Sequence, residues 1–453
     1  MKDPGSFRDP SGFIFIENDE IYRAINPSYG DHFDFFESSG LYKNLLKYNF
    51  IVEHEKIRNE NYYHTLKVEK IFPFTYPYEW SFDQFKDAAI FTLEIQKKSI
   101  ELGMTLKDAT PYNVQFKNNK PIFIDTLSFE KISDDDYSWI AYKQFCETFL
   151  YPLILMSKVD SRLNKLMINF IDGIPIDLAV KLIDFKTKLN PFIFLNLVLP
   201  SILSKKSKTG NSKIKITKKQ HLNLIDQLLH SMEGLQINKT LTEWDNYNNE
   251  TLEEKNNYVH DKINNVNSFT KGKKYNILWD IGSNDGYYSR FFKTKANNVI
   301  SLDIDMKCVN RNYIINQKER HDNITPILFD ISNPSPGIGW KNVERSSIYS
   351  RIGNPDMILF FAIMHHIINN NIPIENIVYF LFAKAKNVLF EYIPFNDPKC
   401  LKIFKSRPEN FIYPSLDDFI NLLNGKFEIE KSVKLEGTDR VLFLLKNTKN
   451  EYK

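Results

Sequence analysis

Residues 276–392 constrain the fold more than any other part of the chain. Five apolar runs of strand length lie here: Asn276–Ile281, Asn298–Asp303, Ile324–Phe329, Asp356–Phe361 and Asn387–Tyr392. Helical patterns separate most of them. Strands that alternate with helices pair in parallel and are covered by helices on both faces. Phe427–Val433 and Arg440–Leu445 read as two further strands and predict an antiparallel finish. The C-terminal half is therefore expected to be an α/β, Rossmann-like domain whose sheet is mostly parallel with an antiparallel last strand.

The first of these strands, NILWDIG, runs into the loop Gly282-Ser283-Asn284-Asp285-Gly286 and then a helix. Gly282 and Gly286 let the backbone pass close to a ligand without Cβ interference. The Gly-x-x-x-Gly spacing is not the GxGxxG of a dinucleotide site. The second strand ends in Asp303 and the third in Asp330. Together with Asp280 they place three acids along the rim where an open parallel sheet binds ligands, and an acid closing the second strand can hold ribose hydroxyls. Three acids suit a cofactor with an amine and a ribose and suit a pyrophosphate badly. That favours S-adenosylmethionine over NAD.

This order resembles the class I S-adenosylmethionine-dependent methyltransferases. Asp280, Gly282 and Gly286 match that family's first motif, Asp303 its ribose acid and Asp330 its adenine-side acid, with Ser283 and Asn284 in the same loop. DMILFFAIMHH (Asp356–His366) matches the fourth strand, whose end faces the methyl group. The segments at Asn333–Arg351, Ile363–Pro373 and Leu389–Lys399, with the terminal TDRVLFLL, are similar to a nodulation-protein-like group of bacterial methyltransferases. The match spans most of Trp244–Lys446 and extends into the N-terminal half through RDPSGFIF, YPYEWSF, LKDATPYNVQF and FIDTLSFE. Ser283 and Asp285 stand where Cys and Thr are common in the group, which leaves the loop's backbone role intact.

Four residues beyond the fourth and fifth strands are candidates for catalysis. His365 or His366 could take a proton from a substrate hydroxyl or amine; either could equally be a satisfied core group. Glu391 and Asp397 could orient a histidine or bind a polar substrate, although an acid before Pro398 also suits a turn or cap. No metal is expected, because the His-His-Glu-Asp set has no tight ligand spacing. Glu344 and Arg345 fall in a region that often borders a methyltransferase substrate pocket, or else form a surface ion pair.

The N-terminal half reads as short strands followed by helices. Gly12–Ile16 and Ile21–Ile25 suggest a hairpin, Phe82–Leu102 a long helix, Val114–Phe116 and Pro121–Ile124 a second hairpin, and Tyr137–Leu155 a further helix. Asp108, Asn113 and Asp125 are similar to the catalytic-loop Asp, the Asn and the metal-binding Asp of kinase-like phosphotransferases, which implies an α+β kinase-like domain. His-Arg does not precede Asp108, Thr126-Leu127 replaces Phe-Gly, and no Gly-rich phosphate loop or Val-Ala-Ile-Lys strand precedes residue 80. Mg-ATP binding here is expected to be weak or absent, and a substrate-binding scaffold is favoured over active phosphotransfer.

Residues 204–219 carry seven lysines and no acid. They divide the chain into an N-terminal domain (1–203), a Lys-rich linker with a lead-in helix (204–240) and a methyltransferase domain (241–453). The apolar stretch Pro191–Leu203 is too short to span a bilayer and contains Pro200. It reads as a buried or interfacial helix, with peripheral membrane contact through 191–219 as the alternative. The net charge of +3 gives no field for nucleic acid, and three scattered cysteines fit a reducing compartment. The polar N-terminus has no apolar core of a secretory signal, so a cytoplasmic location is expected. The activity expected is methyl transfer to a heteroatom of a small polar or saccharide substrate. A bifunctional phosphotransferase-methyltransferase and a non-catalytic binding protein are the alternatives, and the oligomeric state is left open.

Overall fold

The computed structural model describes residues 2–57, 61–133, 136–206, 215–237, 256–408 and 411–449. The centre of the Lys-rich linker (207–214) and Trp244 lie outside them. The chain divides into two compact units, Met1–Thr240 with Pro336–Arg351, and Leu241–Ser335 with Ile352–Lys453.

In the first unit, β1 (Gly12–Glu17) and β2 (Glu20–Ile25) form the expected hairpin around Asn18-Asp19, with φ of 51° and 66°. Two consecutive positive φ values define a type I′ turn, whose twist matches that of the strands, and Asn and Asp tolerate it. β3 (His54–Ile57) and β4 (His64–Val68) complete an antiparallel sheet in the order β1-β2-β4-β3. The helix Phe82–Glu101 opens with a reciprocal cap between Ser81 and Gln84 and buries Phe82, Phe85, Leu93, Ile95 and Ile100. β5 (Met104–Leu106) pairs with β8 (Phe129–Lys131). Between them, β6 (Val114–Lys117) and β7 (Lys120–Phe123) turn at Asn118-Asn119, again with two positive φ values.

Two helices accommodate a proline by widening one turn. Cys146–Leu150 and Phe194–Val198 are π turns, each followed one residue later by Pro152 or Pro200. A proline has no N–H and its ring crowds the carbonyl four residues back. The wider turn takes Tyr151 N–H to Cys146 O and Leu199 N–H to Phe194 O. Pro200 therefore does not interrupt the helical run Pro191–Lys206.

Two segments belong to the first unit that the sequence pattern placed elsewhere. The helix Lys218–Glu233, expected as a lead-in to the second domain, buries His221, Ile225, Leu228 and Met232 against Phe82–Glu101. Lys97 pairs with Asp226 at 2.7 Å across that contact. The segment Pro336–Arg351, between the third and fourth strands of the second unit, is also held here. The Arg351 guanidinium forms a buried bidentate pair with Glu79 and lies 4.1 Å from the Tyr76 ring centroid. Glu344 pairs with Arg8 at 2.8 Å, and Arg345 sits 4.4 Å over Tyr112.

The second unit contains β9 (Tyr275–Ile281), β10 (Ala296–Asp303), β11 (Ile324–Leu328), β12 (Met357–Phe360), β13 (Asn387–Tyr392), β14 (Phe427–Lys434) and β15 (Val441–Asn447). They form one sheet in the order β11-β10-β9-β12-β13-β15-β14. The first five are parallel and β15 runs antiparallel to both neighbours. Strand order reverses at β9, which has β10 on one side and β12 on the other. At such a switch point the connections leave toward opposite faces and a crevice opens beyond the strand ends.

Candidate functional site

A cavity of about 340 Å³ occupies that crevice. Asp280, Gly282, Ser283 and Asn284 from the end of β9 line it, with Asp303 from β10, Asp330 from the turn after β11, and His366 beyond β12. These seven are the sequence candidates that the fold brings together.

Each acid is held in a defined pose. Asp280 is buried and accepts a 2.6 Å hydrogen bond from the Ser289 hydroxyl. Asp303 accepts from the backbone N–H groups of Asn284 at 2.7 Å and Asp305 at 2.9 Å. Burial pushes both carboxyls up to about 6, and the Asp303 charge adds to the shift at Asp280. Asp330 accepts from Ser332 N–H at 2.8 Å. The Ser283 hydroxyl is buried in the cavity wall with no hydrogen-bond partner. An unsatisfied buried hydroxyl is costly unless something completes it, which suits a polar ligand.

The two loop glycines serve different ends. Gly282 has φ +74°, and a Cβ there would lie 2.2 Å from Ile363 Cγ2, so the loop is pressed against the turn after β12. Gly286 does not line the cavity. It has φ +82°, and its Cβ would meet Asn312 Oδ1 at 2.3 Å. Asn312 in turn donates to the Ser301 hydroxyl, which lies 3.0 Å from that of Ser289. Gly286 is thus required by helix packing behind the loop rather than by approach to a ligand.

The catalytic candidates separate as well. His366 faces the cavity, and burial together with the charge of Lys399 lowers it to about 4. His365 points into the core. It is 1% exposed, both ring nitrogens are unpartnered, and burial pushes it to about 3. Glu391 and Asp397 do not reach the cavity, because both are taken by cations inside the fold. Glu391 bonds Lys262 Nζ at 2.5 Å, Arg440 Nη1 at 3.2 Å and the Tyr258 hydroxyl. Burial opposes its ionisation, but the two cations hold it at about 2. Asp397 accepts from Arg440 Nε at 2.8 Å and caps the helix Pro398–Phe404. The metal alternative for these four residues therefore has no open carboxylates. Among the described residues, no cluster of three or more His, Cys, Asp or Glu groups forms a metal site.

Residues absent from the motif reading complete the wall. Tyr258 and Lys262 come from the helix Asn256–Phe269, Tyr287 and Tyr288 from the helix after the Gly loop, and Phe361 and Ala362 from the end of β12. Lys262 Nζ lies 4.2 Å from the Phe361 ring centroid and 4.8 Å from that of Tyr288. Ala362 has φ 53°, a strained conformation for a residue with a Cβ and of the kind found at binding sites. The i,i+4 spacing of Tyr258 and Lys262 on an amphipathic helix was the available signal.

In the first unit, Asp108, Asn113 and Asp125 form one connected group. Asp108 hydrogen-bonds Asn113, Asn113 donates to the Ser128 hydroxyl at 3.0 Å, and that hydroxyl donates to Asp125. Burial and the Asp125 charge raise Asp108 to about 6. Asp125 is paired with the Arg23 guanidinium, which also donates to Ile124 O at 3.1 Å. An internal cation therefore stands beside the carboxylate that the kinase-like resemblance would assign to a metal.

The chain is similar to nodulation protein NoeA of Rhizobium meliloti (strain 1021), with 28% identity over 457 residues, covering 97% of this chain and 94% of that protein. No family model matches. Among solved structures, the N-methyltransferase NodS from Bradyrhizobium japonicum WM9 aligns with a TM-score of 0.33 and 11% identity, covering 43% of this chain and 99% of NodS. The bifunctional kinase-methyltransferase WbdD aligns with a TM-score of 0.28 and 16% identity, over 43% of this chain and 40% of WbdD. Both structural likenesses are distant. The second unit is an α/β domain with a mixed sheet. Its sheet is mostly parallel with the last strand antiparallel, as the sequence pattern led one to expect. The acid-lined cavity opens at the switch point of this sheet.

Proposed function

We propose that the second unit catalyses S-adenosylmethionine-dependent methyl transfer to a heteroatom of a small polar or saccharide acceptor. The convergence of Asp280, Asp303 and Asp330 on one cavity at the switch point carries this reading. Asp303 would accept from ribose hydroxyls, Asp330 would lie on the adenine side, and Asp280 would face the amino-acid end, with the Ser283 hydroxyl free to complete a hydrogen bond. Bound there, the cofactor would supply an electrophilic methyl group.

His366 lines the cavity, and burial holds its imidazole neutral at ordinary pH. Its lowered basicity places it at the weak end of general-base catalysis. Orientation of the acceptor, with the aromatic wall excluding water, carries more of the rate. The first unit is read as a scaffold for the acceptor, supported by the Arg23–Asp125 pair, which already neutralises the carboxylate a magnesium ion would need.

Calorimetric titration with S-adenosylmethionine and S-adenosylhomocysteine, followed by transfer of labelled methyl into candidate acceptors, tests the proposal. His366→Ala is expected to lower turnover by about 10²-fold, the lower end of the general-base range, with cofactor affinity nearly unchanged. Absence of binding by either compound would leave a fold without the activity.

A further inference from the structure

The first unit exposes large apolar side chains over one short stretch. Phe185 is 76% exposed, Leu189 63%, Leu195 59% and Leu203 55%, with Phe194 and Ile202 also open to solvent. The same stretch is anchored to the unit by other residues, since Ile183, Ile193 and Leu197 are buried. The exposed residues are thus not frayed core; they lie on two successive helical segments, Phe185–Lys188 and Pro191–Lys206, that are anchored by those buried side chains. Exposed apolar side chains concentrated in this way mark an interaction surface.

Charge identifies what it meets. Residues 181–219 contain ten lysines and one acid, Asp184, in a chain whose whole net charge is +3. Lys186 is exposed and Lys188 half-buried, both between the open side chains Phe185 and Leu189. Among the described residues, no helix is long and apolar enough to cross a membrane. Exposed apolar side chains bordered by lysines, on short helical segments that cannot span, fit the boundary between anionic headgroups and acyl chains. Nucleic acid would use the lysines and leave Leu195, Ile202 and Leu203 in water.

We infer that Phe185–Leu203 docks the protein onto the surface of an anionic phospholipid bilayer, with its apolar side chains in the interface and its lysines among the headgroups. The inference does not depend on the methyltransferase reading. Sedimentation of the full chain with vesicles of phosphatidylcholine alone, and of phosphatidylcholine mixed with phosphatidylglycerol, tests it at low and high salt. Binding to the mixed vesicles should exceed binding to neutral ones by at least about tenfold and weaken with salt. Leu195→Ser combined with Leu203→Ser should weaken it by about tenfold or more. Lys186→Glu with Lys188→Glu should lower affinity for mixed vesicles and flatten the salt dependence. All four positions are solvent-facing or half-buried, so unchanged thermal unfolding certifies each variant. Failure to bind mixed vesicles overturns the inference, as does undiminished binding by the serine variant. Self-association lost in that variant without lipid would make the face a contact between copies instead. Equal salt-sensitive binding to duplex DNA would make it a nucleic-acid surface.

Discussion

The two units each gather carboxylates that burial pushes toward neutrality, and they differ in what answers the charge. Asp280 and Asp303 in the second unit and Asp108 in the first all rise to about 6. In the second unit, hydroxyl and backbone N–H donors hold the carboxylates at the wall of a cavity. In the first, Asp125 is closed by Arg23. Carboxylate content alone thus does not mark a ligand site. What marks it is charge left for something outside the chain to complete.

The contrast breaks most directly at Glu391, which belongs with the internally answered charges despite its place one strand from the cavity. Glu391→Ala would leave Lys262 and Arg440 buried with one carboxylate fewer between them. Removing one partner of a buried ion pair costs about 3–5 kcal/mol, so a loss of that size is expected in denaturant unfolding. A variant of near wild-type stability that loses turnover would return Glu391 to the catalytic set.

Asp303→Ala is expected to weaken S-adenosylmethionine binding by at least about 100-fold, because two charged hydrogen bonds worth about 1.5–3 kcal/mol each would go. Calorimetry against the wild type measures it. A change below threefold would remove Asp303 from the cofactor site. Gly286→Val does not make the same test. Its Cβ would strike Asn312 at a positive φ, so it is expected to lower stability and affinity together.

Asp125→Asn sharpens the comparison from the other side. Arg23 would lose its ionic partner, and a stability loss of about 1–3 kcal/mol is expected, with methyl transfer within a few-fold of wild type. The Mg-ATP-induced thermal shift of the wild type should be small or absent. A large shift that this variant abolishes would make the first unit a working phosphotransferase.

Which features were legible follows from how local their causes are. The five parallel strands of the second unit were readable because buried parallel strands are continuous apolar runs and need no partner to declare themselves. Both first-unit hairpins of the reading were likewise marked by their turn residues. β3 and β4 were not, since HEKI and HTLKV alternate polar side chains and pair through the sheet alone. The acids at 280, 303 and 330 converged because strand ends share a rim. Glu391 was misread because its partners lie 129 and 49 positions away. The loyalty of Pro336–Arg351 to the first unit was hidden for the same reason, its anchor Glu79 being 272 positions distant.

The smallest effect concerns protons. Asp280 and Asp303 titrate near 6 in the folded chain and near the ordinary carboxylate value of about 3.9 when unfolded. A raised folded value means the folded state binds protons more tightly. The stability these groups contribute is complete below about pH 4 and is lost as pH rises through about 6. Ligand binding should run the opposite way, because ribose hydroxyls and an ammonium group both favour ionised carboxylates. For one controlling group near 6, affinity for S-adenosylmethionine should fall about tenfold between pH 7 and pH 5. Asp303→Asn should flatten much of that slope and leave the part owed to Asp280. Calorimetric titrations across this range, on both proteins, separate the two contributions. An affinity independent of pH in the wild type would mean that the cavity's carboxylates already find their counter-charge inside the fold, as Asp125 does, and the distinction between the two units would fall with it.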